Sequence, residues 1–242
     1  MEQVTVILPN RGEEGLASQV NANITANAIT TEPLRTYSVR QPSLFYFVSK
    51  RLIDITLSLL GIVMLMPVFL VIALCIKLDD GGEILHFRQI IGQNGRRFFA
   101  LKFRTMIRDA DDYLAKHPEL MWKYQQNMKL IYDPRVTRVG KFLRKTSLDE
   151  LPQLFNVLVG QMSLVGPRII HPSELIRYGR YAQKLLAVKP GITGLWQISG
   201  RQHIFYDERV LLDMRYIDTR SLIVDLATLV KTLKVFIVHT GA

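Results

Sequence analysis

The sequence predicts a mostly helical α+β protein of the monotopic membrane class, with one re-entrant membrane helix, a small cytoplasmic domain and amphipathic helices at the interface. Residues 52–76 form an almost wholly apolar segment of about 25 residues, long enough to span a bilayer. Pro67 lies past the middle of this segment, where proline removes a backbone hydrogen bond and can break a helix. Lysines and arginines flank the segment on both sides, so neither side shows the cationic bias of a simple span.

The first element is an expected flexible tail over residues 1–42. This stretch has few large apolar clusters and is rich in Asn, Thr, Ala and Gln, a composition typical of disorder. It also lacks a basic region followed by an apolar core, so we do not interpret it as a signal peptide. We therefore expect a membrane-embedded helix over residues 43–78 and a polar domain over residues 79–242.

The membrane helix is expected to enter and leave through the cytoplasmic leaflet, with its break near Pro67. The flanking cations are Arg40, Lys50 and Arg51 on one side and Lys77, Arg88, Arg96 and Arg97 on the other. Asp54 is close enough in sequence to Lys50 and Arg51 for a helical ion pair at the interface. The alternative interpretation of the segment is a buried core helix.

The C-terminal run 222–238 is a second membrane candidate. Asp225, Lys231 and Lys234 make it a poor span, but it suits an amphipathic helix lying on the membrane surface. A helix packed against the core of the domain is the alternative.

Between these segments the sequence predicts a mixed domain. Residues 83–106 indicate one or two strands joined by a glycine-flanked turn at 92–95. Helical spacing of apolar residues predicts helices over 109–130, 149–159 and 173–188.

The composition favours anionic partners. The net charge is +10, with 31 Lys and Arg against 21 Asp and Glu. Such a balance suits phosphorylated substrates, anionic lipid headgroups or nucleic acid, although solubility and cationic membrane flanks would also account for it. No recognition-helix, zinc or RNA-binding signature is present, so we exclude nucleic acid. The single cysteine, Cys75, rules out an intrachain disulfide.

The adjacent carboxylates Asp149 and Glu150 are the first candidate site. Ser147 with Glu150 fits a capping box, and Asp149 could itself cap the following helix. The pair also suits phosphoryl chemistry, in which one carboxylate attacks phosphorus and the other holds a divalent metal. Arg144 and Lys145 would keep such a nucleophile ionised.

Cationic side chains elsewhere fit the same chemistry. Arg168 and Arg201 each follow a glycine-containing turn, and the planar guanidinium matches phosphate oxygens. Lys102 and Arg104 lie two residues apart on one predicted strand, where an ordinary solvated face is the alternative. Trp196 could stack on a base or sugar, or pack in the core.

Taken in order, these motifs resemble the bacterial sugar transferase family, the polyprenyl-phosphate hexose-1-phosphate transferases that begin exopolysaccharide, O-antigen and glycoprotein glycan assembly. The resemblance covers roughly residues 47–238 and is to the minimal monotopic form. The matching segments are Lys102-Phe103-Arg104-Thr105-Met106, Ser147-Leu148-Asp149-Glu150-Leu151-Pro152-Gln153-Leu154, Asn156-Val157-Leu158, Gly160, Met162-Ser163-Leu164-Val165-Gly166-Pro167-Arg168, Pro190-Gly191-Ile192-Thr193-Gly194-Leu195-Trp196-Gln197 and Ser199-Gly200-Arg201.

The resemblance implies a Mg²⁺-dependent enzyme that transfers a sugar-1-phosphate from a UDP-sugar to undecaprenyl phosphate and releases UMP. It implies a location in the bacterial inner membrane with the catalytic domain in the cytoplasm, and leaves room for a homo-oligomer and for downstream glycosyltransferases as partners. Asp149 would be the nucleophile of a covalent phosphosugar intermediate, and Glu150 with Asp149 would hold the metal. The residues expected to bind phosphate are Arg168 and Arg201, then Lys102, Arg104 and Arg144, with Asp213 and Asp225 as the weakest candidates.

Two residues depart from the family pattern. Glu83 stands where the family usually has proline, and Ile90 where it favours arginine. We expect local remodelling of the hairpin there. The alternative function is a membrane-tethered basic binding or assembly protein without turnover.

Overall fold

The structure, a computed structural model, describes residues 42–127, 130, 132–199 and 205–238, so that nearly all of the predicted tail and Arg201 lie outside the described residues. The helices are α1 (Leu44–Asp80), α2 (Ala110–Ala115), α3 (Pro118–Asn127), α4 (Arg138–Thr146), α5 (Gln153–Leu158), α6 (Ala182–Leu186), α7 (Leu195–Ile198), α8 (Tyr206–Thr219) and α9 (Leu222–Val238). The strands are β1 (Leu85–Ile91), β2 (Arg97–Phe103), β3 (Ser163–Val165) and β4 (Gly191–Thr193), and 3₁₀ segments cover Gln93–Gly95, Leu148–Glu150 and Pro172–Tyr181. The mostly helical α+β prediction is confirmed.

Helix α1 is the long apolar element. The Ser43 side chain accepts a hydrogen bond from the Tyr46 N–H at its start, and Gly81, in the left-handed region, ends it after 37 residues. In the part of the chain that the structure describes, it is the one helix long and apolar enough to cross a membrane. It continues through Pro67 without the interruption that the sequence predicted. Packing on the C-terminal side explains why the helix persists, since Phe69 lies 5.5 Å from the ring of Phe103.

One face of α1 is buried along its length and the other is apolar and exposed. The buried residues are Tyr46, Asp54, Ser58, Ile62, Ile72 and Ile76. Near its N-terminus, Arg51 donates hydrogen bonds to the carbonyls of Val157 and Leu158 at the end of α5. At its C-terminus, Asp80 pairs with Arg104, which follows β2. Both ends of α1 therefore contact the same polar domain.

The predicted interfacial pair of Asp54 with Lys50 or Arg51 is wrong. Asp54 accepts hydrogen bonds from the Ser163 hydroxyl (3.1 Å) and the Leu164 N–H (3.0 Å). Lys50 pairs instead with Asp225 of α9, at 2.8 Å. Because α1 packs on β3 and α9 there, these charges find partners in the domain rather than along their own helix.

Strands β1 and β2 form the antiparallel hairpin that the turn at 92–95 predicts. Asn94 and Gly95 both have positive φ, at 58° and 74°, which lets the chain reverse. Ile90 pairs with Phe98 in register, and both face the core together with Ala100. Ile90, which stands where the family favours arginine, is fully buried and packs in the hydrophobic core.

The second sheet is a two-stranded parallel pair, in which Ser163 lies opposite Gly191 and Val165 opposite Thr193. It packs against α1, α5 and α9, accepts a hydrogen bond from Tyr216 of α8 at the Val165 carbonyl, and contributes to the main core. The largest fully buried apolar members of this core are Ile90, Met162, Ile170, Tyr216 and Ile217.

Three predicted helices are shorter or divided. The predicted helix 109–130 is two helices, α2 and α3, because Pro118 occupies the first position of α3, where proline is favoured. The predicted helix 149–159 starts only at Gln153, and the predicted helix 173–188 is a 3₁₀ segment followed by α6.

Helix α9 matches the predicted run 222–238; of its charged residues, Asp225 faces inward, whereas Lys231 and Lys234 are exposed. Asp225 is 5% exposed, whereas Ile223 and Leu233 are 80% and 63% exposed. The helix is therefore packed on the domain through Asp225 and presents apolar side chains on its outer face.

Candidate active site

The carboxylate pair lies in a tight connection between α4 and α5. Ser147, with φ at 55°, ends α4 in the left-handed region, and one turn of 3₁₀ helix then presents Asp149 and Glu150. Ser147 makes no side-chain cap hydrogen bond, and the residue that precedes α5 is Pro152 rather than Asp149. Neither helix-capping explanation of the pair therefore holds.

Lys102 joins the two carboxylates to the hairpin. Its Nζ lies 2.6 Å from Glu150 Oε1 and 3.8 Å from Asp149 Oδ2. Lys102 is directly opposite His86 in the β1–β2 register, on the same face of the hairpin as the buried Ala100. The hairpin thus delivers one ammonium group to two carboxylates.

Asp149 is 9% exposed, and this burial raises the pKa of its carboxyl to about 6. Lys102 lowers that pKa, Glu150 raises it, and Arg144 lowers it. The group is therefore ionised near neutral pH but weakly hydrated, which leaves a carboxylate available for attack.

Arg144 lies at the end of α4, where its Nε donates to Thr105 Oγ1 at 2.9 Å. Burial lowers the pKa of the Arg144 guanidinium, and the negative charge of Asp149 raises it. The α4 helix approaches Thr105 so closely that a Cβ on Gly140 would lie 2.0 Å from the Thr105 carbonyl oxygen. Glycine at 140 is what allows α4 to bring Arg144 here.

Arg104 does not reach the carboxylates. Its guanidinium pairs with Asp80 at the end of α1, and its Nε donates to the Glu83 carbonyl. Arg104 therefore attaches the hairpin to the end of α1, and its phosphate-binding role stays a prediction. Glu83, the other departure from the family pattern, contributes its main-chain carbonyl to this contact with Arg104.

Arg168 belongs to a second cationic group. Its guanidinium carbon lies 5.4 Å from the centre of the Trp196 ring, and its Nη1 lies 3.8 Å from Glu174 Oε2. Arg209 lies over the same ring at 5.3 Å. Two arginines therefore lie against the Trp196 ring, and its stacking on a base or sugar stays a prediction. Arg201 lies outside the described residues.

Arg88 connects the two groups. Its Nη2 lies 3.1 Å from Glu174 Oε1, and it stands two residues from His86 on the same face of β1. Two residues of a strand span about 7 Å, so charges follow one face of the hairpin from Lys102 to Arg88 and on to Arg168. Burial lowers the pKa of His86, and Lys102 and Arg88 lower it further.

Sequence reasoning missed His86 and Arg88. The turn at 92–95 carried the necessary signal, because it sets the register that places these two residues opposite Lys102 and Ala100.

Asp213 and Asp225, the weakest phosphate-site candidates, are buried and accept hydrogen bonds from groups within the domain and from α1. Asp213 is 1% exposed and accepts hydrogen bonds from the Arg168 N–H (3.1 Å) and the Tyr178 hydroxyl (2.7 Å). Burial raises its pKa to about 6. Asp225 accepts from Lys50, Tyr46 and Tyr216.

The two carboxylates fit a Mg²⁺ ion only together with a phosphorylated substrate. Mg²⁺ in enzymes is commonly held by one or two carboxylates plus substrate phosphates and water. Asp149 and Glu150 match this donor set, and the described residues contain no group of three or more metal-ligating side chains. Substrate phosphates would have to supply the remaining ligands.

A sequence model of the family described as bacterial sugar transferase matches residues 45–239. The chain belongs to the bacterial sugar transferase family. The match covers every described helix and strand apart from the first residue of α1, and it includes the carboxylate pair, Lys102 and Arg168.

Individual relatives show the extent of the similarity. The exopolysaccharide production protein ExoY of Sinorhizobium fredii (strain NGR234) is 42% identical over 199 residues, which are 81% of this chain and 88% of that protein. The undecaprenyl-phosphate galactose phosphotransferase of Salmonella typhimurium is 45% identical over 198 residues, 80% of this chain but 41% of the relative. An uncharacterized sugar transferase of Haemophilus influenzae is 46% identical over 197 residues, 80% of this chain and 42% of the relative. This sugar transferase chain therefore matches most of ExoY and less than half of the two longer proteins.

Proposed function

We propose that the chain transfers a sugar-1-phosphate from a UDP-sugar to undecaprenyl phosphate at the bacterial inner membrane, the first membrane step of exopolysaccharide or related glycan synthesis. The observation that carries the proposal is Asp149, a buried carboxylate that caps no helix and lies between Lys102 and Arg144. Relatives named undecaprenyl-phosphate galactose phosphotransferase and undecaprenyl-phosphate glucose phosphotransferase support the acceptor and the reaction class.

The proposed reaction has two steps at Asp149. A carboxylate oxygen of Asp149 attacks the β-phosphorus of the UDP-sugar, and the bond from that phosphorus to the bridging oxygen breaks, so that UMP leaves. The sugar phosphate is then bound to the Asp149 side chain through the new oxygen–phosphorus bond. In the second step an oxygen of undecaprenyl phosphate attacks the same phosphorus and releases the Asp149 carboxylate with undecaprenyl-diphosphate-sugar.

Two steps suit the charges of the substrates. Both the donor pyrophosphate and the lipid phosphate are anions, and the covalent intermediate lets UMP leave before the second anion binds. Lys102 and Arg144 keep Asp149 ionised and offset charge on the transferring phosphoryl group. Bound Mg²⁺, held by Asp149 and Glu150, would supply further charge neutralisation on the pyrophosphate.

The contacts of Arg168 hold its side chain and its backbone in place for the proposed phosphate-binding role. Its guanidinium is directed by the Trp196 ring and Glu174, and its backbone N–H is held by Asp213. Arg88 on the same hairpin face as Lys102 adds a second arginine between this group and the carboxylates.

The contacts of α1 support a topology in which both ends of this uninterrupted helix lie on the cytoplasmic side, together with the catalytic domain. Lys50 pairs with Asp225 near one end of α1, and Asp80 pairs with Arg104 at the other. A helix that crossed the bilayer would separate these ends by about 30 Å of hydrocarbon, with one on each side. Because one domain holds both ends, we infer that the two ends of α1 lie on the same side of the membrane.

The test is UMP release from a panel of UDP-sugars with undecaprenyl phosphate and Mg²⁺, for the wild type and Asp149→Asn. We expect release that depends on the sugar and vanishes in the variant, while the exposed-site control Asp112→Asn behaves as wild type. Without lipid, we expect the wild type to release about one UMP per protein and to retain the labelled sugar phosphate. Retained label in Asp149→Asn would exclude Asp149 as the nucleophile.

A further inference from the structure

A pocket separate from the carboxylates lies where the first turns of α1 meet β3 and the loop before β4. Its volume is about 100 Å³, several times the roughly 10–15 Å³ that a single water requires. The charged side chains that line it are Lys50, Arg51, Asp54, Lys189 and Arg220. The carboxylates precede the N-terminus of α5, whereas Arg51 of the pocket donates to carbonyls at the C-terminus of that helix, and neither carboxylate lines the pocket.

Much of the charge in this pocket is already paired. Lys50 lies 2.8 Å from Asp225 and also donates to the Val165 carbonyl. Asp54 accepts its two hydrogen bonds from β3. Arg51 also donates hydrogen bonds, from Nη1 to the Val157 carbonyl and from Nη2 to the Leu158 carbonyl, although each of these nitrogens carries a second N–H.

Lys189 differs from the paired side chains that line the pocket. Within the described residues its ammonium makes no hydrogen bond or ion pair, and it is about half buried. Burial lowers its pKa, the nearby guanidinium of Arg51 lowers it further, and Asp54 raises it. A half-buried ammonium beside a second cation is costly unless an anion lies between them.

Arg51 and Lys189 converge on one point. A Cβ placed on Gly160, whose φ is 87°, would lie 3.3 Å from Arg51 Nη2 and 3.6 Å from Lys189 Nζ, so the two nitrogens are at most about 7 Å apart. Charge-assisted hydrogen bonds of about 2.7–2.9 Å from both nitrogens could reach two oxygens of one phosphate group.

The surroundings favour a phosphate that is attached to a lipid. Phe47 lines the pocket, and the adjoining residues of α1 are apolar and strongly exposed: Leu44 by 78%, Phe45 by 73% and Val48 by 51%. A free anion would leave these side chains uncovered, whereas acyl chains would cover them.

We propose that this pocket is a second anion site, in which Lys189 and Arg51 bind the phosphate group of an anionic bilayer phospholipid whose acyl chains lie along the first turns of α1. We treat this lipid as a structural ligand and not as the acceptor, because neither Asp149 nor Glu150 lines the pocket. The proposal is independent of the reaction at the carboxylates.

The test is native mass spectrometry of the full chain in detergent, titrated with dioleoyl phosphatidylglycerol or dioleoyl phosphatidylcholine, with no nucleotide sugar present. We expect one tightly retained phosphatidylglycerol and at least tenfold weaker retention of phosphatidylcholine. Lys189→Gln should weaken phosphatidylglycerol binding about 10- to 100-fold, as expected for losing a hydrogen bond to a charged group. Lys189→Arg should retain it, and the exposed-site control Lys116→Gln should bind as wild type.

Folding is checked in the same samples. Because Lys189 makes no hydrogen bond within the described residues, Lys189→Gln should melt no lower than the wild type without added lipid. Phosphatidylglycerol should raise the melting temperature of the wild type and not of the variant. Equal retention of the two lipids, or equal binding by wild type and Lys189→Gln, would refute the site. Displacement of phosphatidylglycerol by millimolar inorganic phosphate would show a site for soluble anions and refute the lipid.

Discussion

At the scale of single residues, the site depends on placing a carboxylate where water does not hydrate it well. Adjacent acids beside cations were visible in the sequence, and so was their fit to phosphoryl chemistry. The burial of Asp149 was not, because it results from Ser147 adopting the left-handed region and turning the chain into the domain. The same limit applies to Arg104, whose partner Asp80 is distant in sequence.

Asp149→Asn should stabilise the protein at neutral pH. The pKa of the Asp149 carboxyl in the folded protein, about 6, is above the ordinary 3.8, so ionisation of this carboxyl disfavours the folded state. The contribution of Asp149 to stability is therefore fully present below pH 4 and is lost as the pH rises through 6. Two units correspond to about 3 kcal/mol at most, and we expect a gain of about 1–3 kcal/mol in the free energy of unfolding at pH 7.5.

The measurement is thermal unfolding in detergent without added divalent metal, at pH 7.5 and pH 4. Asp112→Asn, at an exposed position, should change little at either pH. An equal gain for Asp149→Asn at both pH values would contradict the explanation by ionisation.

Lys102→Met should move the acidic limb of the pH–rate profile upward. Lys102 is the strongest of the charges that lower the pKa of Asp149. In the wild type we expect the midpoint of the acidic limb near pH 6, and loss of Lys102 should shift this midpoint to higher pH by about one unit or more. The profile of UMP release measures this, with Lys116→Met as the control. A lower rate with an unmoved limb would mean that Lys102 acts on the substrate alone.

At the scale of elements, local signals predicted turns well and helix boundaries less well. The glycine-flanked turn at 92–95 specified the hairpin. The sequence predicts one helix that contains Pro118, whereas in the structure Pro118 begins a second helix. The sequence predicts a break at Pro67, but α1 continues through it. Packing against the domain on both sides of the proline outweighs the hydrogen bond that the proline removes.

Gly140→Ala should displace α4. The added methyl would lie 2.0 Å from the Thr105 carbonyl oxygen, so the helix and Arg144 must move away from Asp149. We expect a loss of about 1–3 kcal/mol of stability and a much larger proportional loss of turnover.

Gly61→Ala in α1 is the matched control, since its methyl would meet only the flexible Leu154 side chain, at 3.3 Å. Melting temperature and UMP release should be measured for both variants. Wild-type turnover in Gly140→Ala would show that the position of α4 does not matter for catalysis.

At the scale of the whole molecule, the important relation is between α1 and the domain. A straight helix of 37 residues would be about 55 Å long, against about 30 Å of hydrocarbon, and α1 contacts the domain near both ends. Equal cationic flanks indicated this relation from the sequence, but the partners Asp225 and Arg104 required the structure.

Cysteine labelling tests the topology. In a Cys75→Ser background, Leu44→Cys and Leu78→Cys introduce thiols at positions 78% and 77% exposed, near the two ends of α1. An impermeant maleimide should label both in inverted membrane vesicles and neither in spheroplasts. Labelling of one site in each preparation would establish a span instead.

The hydrogen bonds from Arg51 to the end of α5 mean that the anchor and the enzyme are not separate modules. A fragment cut at residue 79 would leave the Val157 and Leu158 carbonyls without their donor and expose the face of α5 that contacts Gly61. Recombination within this family should therefore exchange α1 and the domain as one inherited block, and chimaeras joined between them should fold only when the α1–α5 contacts are copied as well.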